Sequence, residues 1–483
     1  MLKITKFWRK QCSQCFSILK KVKEIVMSDP ARKYVVVSAP GKRNGNDNKI
    51  TDLLYLLDAH RQYHVDASNV FNLIKDRFLE IKNELGLKQP IEKELDRFYT
   101  NLNQMNQAEI VSRGEYFCAK LMAEYLGYGF VDAKDIIRFR LDKTIDWQAT
   151  TNKLTAKCAQ YKNFVFPGFY GGSANGQIQI FPRGGGDITG AILARCLNAD
   201  VYENWTDVSG FLMADPRIVK DPEQITHITY SELRELSYMG ASVLHEEAIF
   251  PVKEANIPIH ILNTNRPQDA GTIIQEHNNY VNPYAITGIA GKTDFLSIYI
   301  YKKHMSNEIG FIRKVLSILE AYHISVEHIP SGIDSFSIVV SKKDIEDSLY
   351  EILARIKTEL KPDEIKTQED ISLISTVGKN MSDKPGTSGK LFGSLGANNI
   401  NIVMIAQGSD EINITVGVKK KDFEKTIQVI YDTFVTKEKQ SMKTIAIVGA
   451  TGAVGQQMLK CLEERNIQCN LKLLASARSK GKK

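Results

Sequence analysis

The stretch FPRGGGDIT, residues 181–189, brings together Arg183, three glycines from Gly184 to Gly186, and Asp187. Consecutive glycines let backbone N–H groups approach an anion, a helix N-terminus adds the positive end of its dipole, and the Arg183 guanidinium is a fork shaped for a carboxylate. Asp187 can accept from an ammonium. Glu115, in SRGE at the head of another helical stretch, reads either as a capping residue or as a second acceptor for that ammonium. Together Arg183, Asp187 and Glu115 suit a zwitterionic amino acid with an extra carboxylate. A second set lies in YENWTDVSGFLMADPRIV, where Thr206 and Asp207 follow a strand-like run and Asp215, Pro216 and Arg217 form a rigid turn. One reading is a surface loop of Asx and proline turns. The other places Thr206 and Asp207 near a nucleotide and Arg217 on its phosphates, because phosphoryl transfer needs cations and backbone donors around the moving group, with Mg²⁺ bridging the phosphates. Neither a GxxxxGK[ST] sequence nor the HRD and DFG signatures occur, which excludes the P-loop and protein-kinase solutions. His245 reads as structural or substrate-lining, since no second histidine stands four residues away to share a metal.

The elements that must carry these residues follow a layered α/β pattern. YVVVS at 34–38 reads as a buried strand running into Ala39, Pro40 and Gly41, a strand end of the kind where open α/β sheets place ligands. From Ile50, ITDLLYLLDAHRQY has helical spacing, with Thr51 placed to cap or open the helix. QIQIF is a strand, and the helix after Gly186 starts with Asp187 and Thr189 and includes Ile192 to Leu197. From Ala285 two similar units follow, each a strand, a small polar turn, an amphipathic helix and an isoleucine-rich strand, roughly 70 to 80 residues apiece. After the polar linker TKEKQS, MKTIAIVGATGAVGQQMLKCLEERN opens a strand, a GxxGxxG turn at Gly449, Gly452 and Gly455, and a helix: one β-α-β unit of a dinucleotide-type fold.

With 483 residues, 43% of them hydrophobic, the chain can bury several cores. Sixty-three basic against 56 acidic residues give +7, spread without an arginine-rich arm, so an anionic small substrate accounts for the charge and nucleic acid is not expected. No apolar run reaches the roughly twenty residues of a membrane helix, and the N-terminus lacks a cleavable apolar leader; a cytoplasmic protein without a membrane partner is expected. The seven cysteines are too scattered for a disulfide scaffold, and the lone CxxC pair, Cys12 and Cys15, has no second pair to complete a zinc site.

These blocks resemble one family. VVVSAPGK at 35–42, SRGEYFCAKLMAEYLG at 112–127, FPRGGGDITGAILA at 181–194, YENWTDVSG at 202–210, ADPRIV at 214–219 and ELSYMGASVLHEEAIFP at 235–251 are similar to the successive blocks of aspartate kinases. The two later units resemble the tandem ACT domains of that family, with PSGID at 330–334 and QGSDEINI at 407–414 at their strand ends. The 442–483 segment resembles the opening of aspartate-semialdehyde dehydrogenase. The resemblance implies an amino-acid kinase fold, a layered α/β/α sandwich, over 1–280. It further implies two ACT-like α+β domains over 284–365 and 366–438, and a partial Rossmann-type unit over 442–483. It implies transfer of phosphate from ATP, with Mg²⁺, to L-aspartate, and feedback by lysine and/or threonine on a homodimer formed through the ACT domains. By resemblance, Arg183, Glu115 and Asp187 hold aspartate, Ser38 and Thr51 line its site, and Thr206, Asp207 and Arg217 hold the nucleotide. Lys6 neutralises charge on the transferred group. Met305, Ser306, Gly310 and Phe311, with partners from 325–334, form the effector pocket.

The chain departs from the family pattern where members read KFGGSSVA and it has Lys6, Phe7, Trp8, Arg9, Lys10, Gln11, Cys12 and Ser13. Tryptophan has a single codon, UGG. Residues 8–17 can be written so that dropping its U reads Gly-Gly-Ser-Ser-Val-Ala-Ser-Ala-Leu, the missing block. The expectation is a one-base slip restored near Ile18; the alternative is a genuine effector-binding homologue whose kinase activity is impaired. Ser242 also departs, standing where some members have a nucleotide-contacting lysine.

Overall fold

The computed structural model describes residues 1–7, 15–182, 184–241, 244, 249–276, 280, 282–382, 384–438, 444–465, 467 and 469–475, with the backbone alone given for 15–17, 444 and 470. Its described residues form two compact units: 1–211, 224–231 and 242–278 make the first, and 212–223, 232–241 and 279–483 the second.

The first unit is built on an eight-stranded sheet in the order His227–Ile228, Thr272–Ile274, Ile259–Asn263, Val201–Thr206, Lys3–Phe7, Tyr34–Val37, Phe164–Pro167 and Gly129–Phe130. Every neighbouring pair is parallel except Ile259–Asn263 with Thr272–Ile274. A parallel sheet is covered on both faces, so its central strands read as unbroken apolar runs rather than alternating ones. Tyr34–Val37 is such a strand, buried at all four positions. On one face helices Cys15–Met27, Ile50–Gln62, Ser68–Glu84 and Arg113–Leu126 supply a core that includes Leu54, Ile74, Phe78, Phe117 and Leu121. Helix Gly185–Cys196 packs against strands Lys3–Phe7 and Val201–Thr206. The chain thus forms the expected layered α/β architecture.

The second unit holds an antiparallel five-stranded sheet in the order Ser335–Ser341, Gly288–Tyr301, Glu364–Val377, Asn413–Lys419, Met404–Gln407. Its two long strands each serve two halves. Phe295–Tyr301 pairs with Ser335–Ser341, whereas Gly288–Lys292 pairs with Leu373–Val377, and the register shifts between Lys292 and Ser297. A bulge at this point bends the strand and lets it serve both halves; Asp294 takes a φ of 69° there. Helices Phe311–Ala321 and Leu349–Leu360 cover the outer half, over a core of Ile298, Val315, Phe336 and Ile352. Helices Thr387–Ala397 and Phe423–Tyr431 belong to the inner half. The two α+β halves are therefore interleaved, the inner one taking Gly288–Lys292 from ahead of the outer one.

At the C-terminus, parallel strands Thr444–Val448 and Asn470–Leu474 flank helix Ala453–Glu464, the single β-α-β unit expected. Val448 and Val454 are largely exposed on it. Among the described residues no helix is long and apolar enough to cross a membrane.

Candidate active site

Five of the candidate residues converge at the C-terminal ends of three neighbouring parallel strands, the edge at which open α/β sheets bind ligands. Lys6 is the penultimate residue of its strand and the register partner of Asn204. Side chains alternate along a strand, so Ile4 and Lys6 share one face. Lys6 is nevertheless only 2% exposed, an expensive place for an ammonium unless it is paired. Its Nζ forms an ion pair with Asp187 and lies 3.5 Å from Asn204 Oδ1. Burial pulls the Lys6 ammonium below the ordinary lysine range, while Asp187 and Asp207 act to keep it charged.

Asp187 stands in the first turn of helix Gly185–Cys196, where the helix dipole favours a carboxylate. Asn204 Nδ2 donates to its Oδ1 at 3.0 Å, and the Tyr202 hydroxyl donates to its backbone carbonyl at 2.9 Å. Thr206 ends the same strand as Asn204, and its hydroxyl donates to Asp207 at 3.2 Å. Ser38 follows strand Tyr34–Val37, its N–H donating to Phe7 O at 3.3 Å. Gly186 is forced by this convergence: a Cβ there would lie 2.8 Å from Ser38 Oγ and 3.3 Å from Lys6 Cε. Gly186→Ala should therefore lower kcat/KM about tenfold or more by pushing these side chains apart. Steady-state kinetics alongside an unchanged thermal unfolding profile would check it.

Glu115, on helix Arg113–Leu126, is 6% exposed. Its Oε1 accepts from the N–H of Ala39 at 3.2 Å, and its buried Oε2 has no hydrogen-bond partner among the described residues. Burial pushes this carboxyl up to about 8, only partly opposed by the Ala39 N–H. Of the two roles open at Glu115, the geometry makes it an acceptor with one vacant position rather than a helix cap.

Thr51 neither caps nor opens its helix: Ile50 is the first helical residue, Lys49 holds the cap position, and Thr51 sits inside the first turn. It lines a cleft of about 940 Å³ with Tyr55, Phe169, Ile188 and Phe250. Arg217 belongs to the second unit, where Asp215 engages its guanidinium at 2.5–3.0 Å and the side chain is largely exposed. Arg183, His245, Ser242 and the Trp8–Ser13 block lie outside the described residues. Sequence reasoning missed Asn204, which partners both Lys6 and Asp187; the Asn in YENWT was the only signal, and it acquires meaning once the strand order is known.

In the second unit Met305 and Phe311 are core residues, Phe311 meeting Phe336 edge-on at 6.1 Å, so their backbone and the neighbouring Ser306 and Gly310 are what they offer a ligand. Pro330, of the 325–334 segment, lines a separate cavity of about 580 Å³ with Tyr299, Ser337 and Lys366.

The model of the amino acid kinase family matches residues 12–263, that of the ACT domain residues 374–434, and that of the semialdehyde dehydrogenase NAD binding domain residues 444–483. The chain is similar to Aspartokinase 3 of Bacillus subtilis, 38% identical over 440 residues that cover 86% of this chain and 95% of that protein. The crystal structure of Clostridium acetobutylicum aspartate kinase superposes with a TM-score of 0.84 at 46% identity, covering 90% of this chain and 99% of the other. A bifunctional aspartokinase/homoserine dehydrogenase of Buchnera aphidicola is 29% identical, and the chain spans 58% of its length.

Proposed function

That this chain belongs to the aspartokinase branch of the amino acid kinase family is the premise from which we propose its reaction: ATP and L-aspartate give ADP and 4-phospho-L-aspartate, under feedback by an amino acid at the ACT-like unit. The observation that carries the proposal is the buried Lys6 held between Asp187 and Asn204 at the strand ends. The vacant acceptor on buried Glu115 and the close approach at Gly186 both fit a small charged substrate.

In this reading Glu115 and Asp187 receive the ammonium of aspartate, Arg183 its α-carboxylate, and Ser38 and Thr51 line the side facing it. The β-carboxylate is ionised at neutral pH and needs no general base. Lys6 supplies positive charge where negative charge builds on the transferred phosphoryl group, and its low exposure makes that charge effective. Thr206 and Asp207 hold the nucleotide. Asp207 would hold Mg²⁺, which would supply positive charge against the nucleotide phosphates. The ion commonly takes only one or two protein carboxylates besides phosphate oxygens, a demand that Asp207 can meet. Met305, Ser306, Gly310, Phe311 and segment 325–334 take the effector, lysine and/or threonine, in a dimer formed through this unit.

The Trp8–Arg9 departure favours a second reading, an effector-binding homologue with impaired catalysis. Purified chain incubated with ATP, Mg²⁺, aspartate and hydroxylamine decides between them. Aspartyl hydroxamate formed with aspartate and not with glutamate supports the kinase, and none formed while an effector still binds supports the homologue.

A further inference from the structure

Helix Tyr230–Tyr238 carries the chain into the second unit at Glu232, and the chain leaves that unit after Ala241. Side chains three residues apart share a helix face. Here Glu232, Glu235 and Tyr238 form such a row, and each is held at a different place in the five-stranded sheet's surroundings. Glu232 Oε1 accepts from Thr287 Oγ1 at 2.6 Å and from the Lys379 N–H at 2.7 Å. Glu235 accepts from the Asn413 side-chain amide. The Tyr238 hydroxyl donates to Glu327 Oε2 at 2.6 Å, and the Lys292 ammonium lies 4.9 Å from the centre of its ring.

The two ends of this row differ. Thr287, Lys379 and Asn413 stand at one end of the sheet's central strands, where Gly288 is the register partner of Val377 and Val377 of Asn413. Glu232 there is 3% exposed and doubly bonded, a fixed anchor. Tyr238 is 55% exposed and bonded to the side chain of a residue whose own N–H donates to Val339. Two residues further, Gly240 has a φ of +103°, a backbone conformation that favours glycine, with no atom closer than 3.8 Å to a Cβ built there. The anchored end, the releasable end and the turn into the first unit follow one another within ten residues, 232–241.

We propose that the Tyr238 phenol and an ammonium-bearing effector compete for the Glu327 carboxylate, so that effector binding frees the C-terminal end of this helix just ahead of the Gly240 turn. The inference rests on the effector site proposed above around 325–334. An ammonium makes a stronger bond to a carboxylate than a neutral phenol does, and the half-exposed phenol can turn to water at little cost. Glu232 meanwhile keeps the N-terminal part of the helix seated.

The test measures binding, so it does not depend on the chain being catalytically active. L-lysine and L-threonine are titrated calorimetrically into the full chain, Tyr238→Phe and Glu327→Gln, and amide hydrogen exchange is followed over residues 235–241. Tyr238→Phe removes the competitor and should lower the Kd of the amino acid that binds by about five- to tenfold. Exchange should rise at 235–241 on effector binding in the parent chain and be already raised in the variant. Glu327→Gln still accepts from Tyr238 but loses the charge, and should raise the Kd about tenfold or more. A parent chain that binds an amino acid with a Kd unchanged by either substitution overturns the competition and leaves the effector reading standing. Binding of neither amino acid to the parent chain overturns both.

Discussion

Rewriting residues 8–16 as Gly-Gly-Ser-Ser-Val-Ala-Ser-Ala-Leu should raise ATP-dependent aspartyl hydroxamate formation by about a hundred- to a thousandfold over the chain as it stands. The magnitude is that of one backbone donor aimed at developing negative charge, about 10²–10³ in rate. Strand Lys3–Phe7 ends at Phe7, the register partner of Val37 on one side and of Trp205 on the other. The residues after those partners are Ser38 and Thr206, members of the proposed substrate and nucleotide sets. A strand ending between two such positions calls for a turn whose N–H groups can come close to phosphate, and consecutive glycines provide it. The sequence offers Trp8 and Arg9 instead, a bulky and a charged side chain in place of two glycines. Equal activity of the two versions would show that backbone donors at this position are dispensable and that the account of phosphate binding is wrong. Reading the gene gives an independent check, since a one-base slip requires an extra base at the Trp8 codon and a compensating loss near Ile18.

Much of the kinase scaffold was legible because its signals are local. The apolar run at 34–37, the glycine turn before Asp187 and the GxxGxxG of the tail each specify an element within a few residues, and the structure has those elements. Lys6 was legible only through family resemblance, because KITKF alone reads as an alternating strand and nothing in it says that Lys6 is buried. Its burial follows from strand order: Val201–Thr206 lies beside Lys3–Phe7 across nearly two hundred residues of chain, and that pairing places Asn204 next to Lys6. The interleaving of the regulatory halves escaped for a related reason. Two similar units in series read as two sheets in series, but the bulge between Lys292 and Ser297 lets one long strand serve both. Glu115 illustrates a third limit, since a helix-start glutamate signals capping and its unsatisfied oxygen emerges only from the packing of Ala39 against its helix.

Glu115→Gln should move stability and function in opposite directions. An unfolded glutamate titrates near 4.5, whereas burial holds Glu115 near 8 in the ligand-free fold. Between these values the native state retains a proton that the unfolded state has lost, so the contribution of this group to stability is full below about pH 4.5, declines as pH rises and levels off above about 8. At pH 7 the accumulated cost is about 3 kcal/mol, at 1.36 kcal/mol per pH unit. A neutral amide of the same shape removes the dependence, and the variant should unfold at higher temperature at pH 7–8 while matching the parent near pH 4.5. Substrate reverses the balance. An aspartate ammonium placed at the vacant oxygen favours the ionised carboxyl, so binding below pH 8 must expel a proton, and KM for aspartate should fall about tenfold per pH unit until it flattens near 8. In Glu115→Gln that slope should vanish and kcat/KM should drop by about 10²–10³, the cost of leaving a buried ammonium short of one of its two carboxylate partners. Calorimetry of aspartate binding at pH 7, in buffers of different ionisation enthalpy, reads the proton release directly: close to one proton per aspartate in the parent chain and none in the variant. A variant that loses stability, or a KM for aspartate that does not change between pH 6 and pH 8, would remove Glu115 from the substrate site and leave it a buried structural acid.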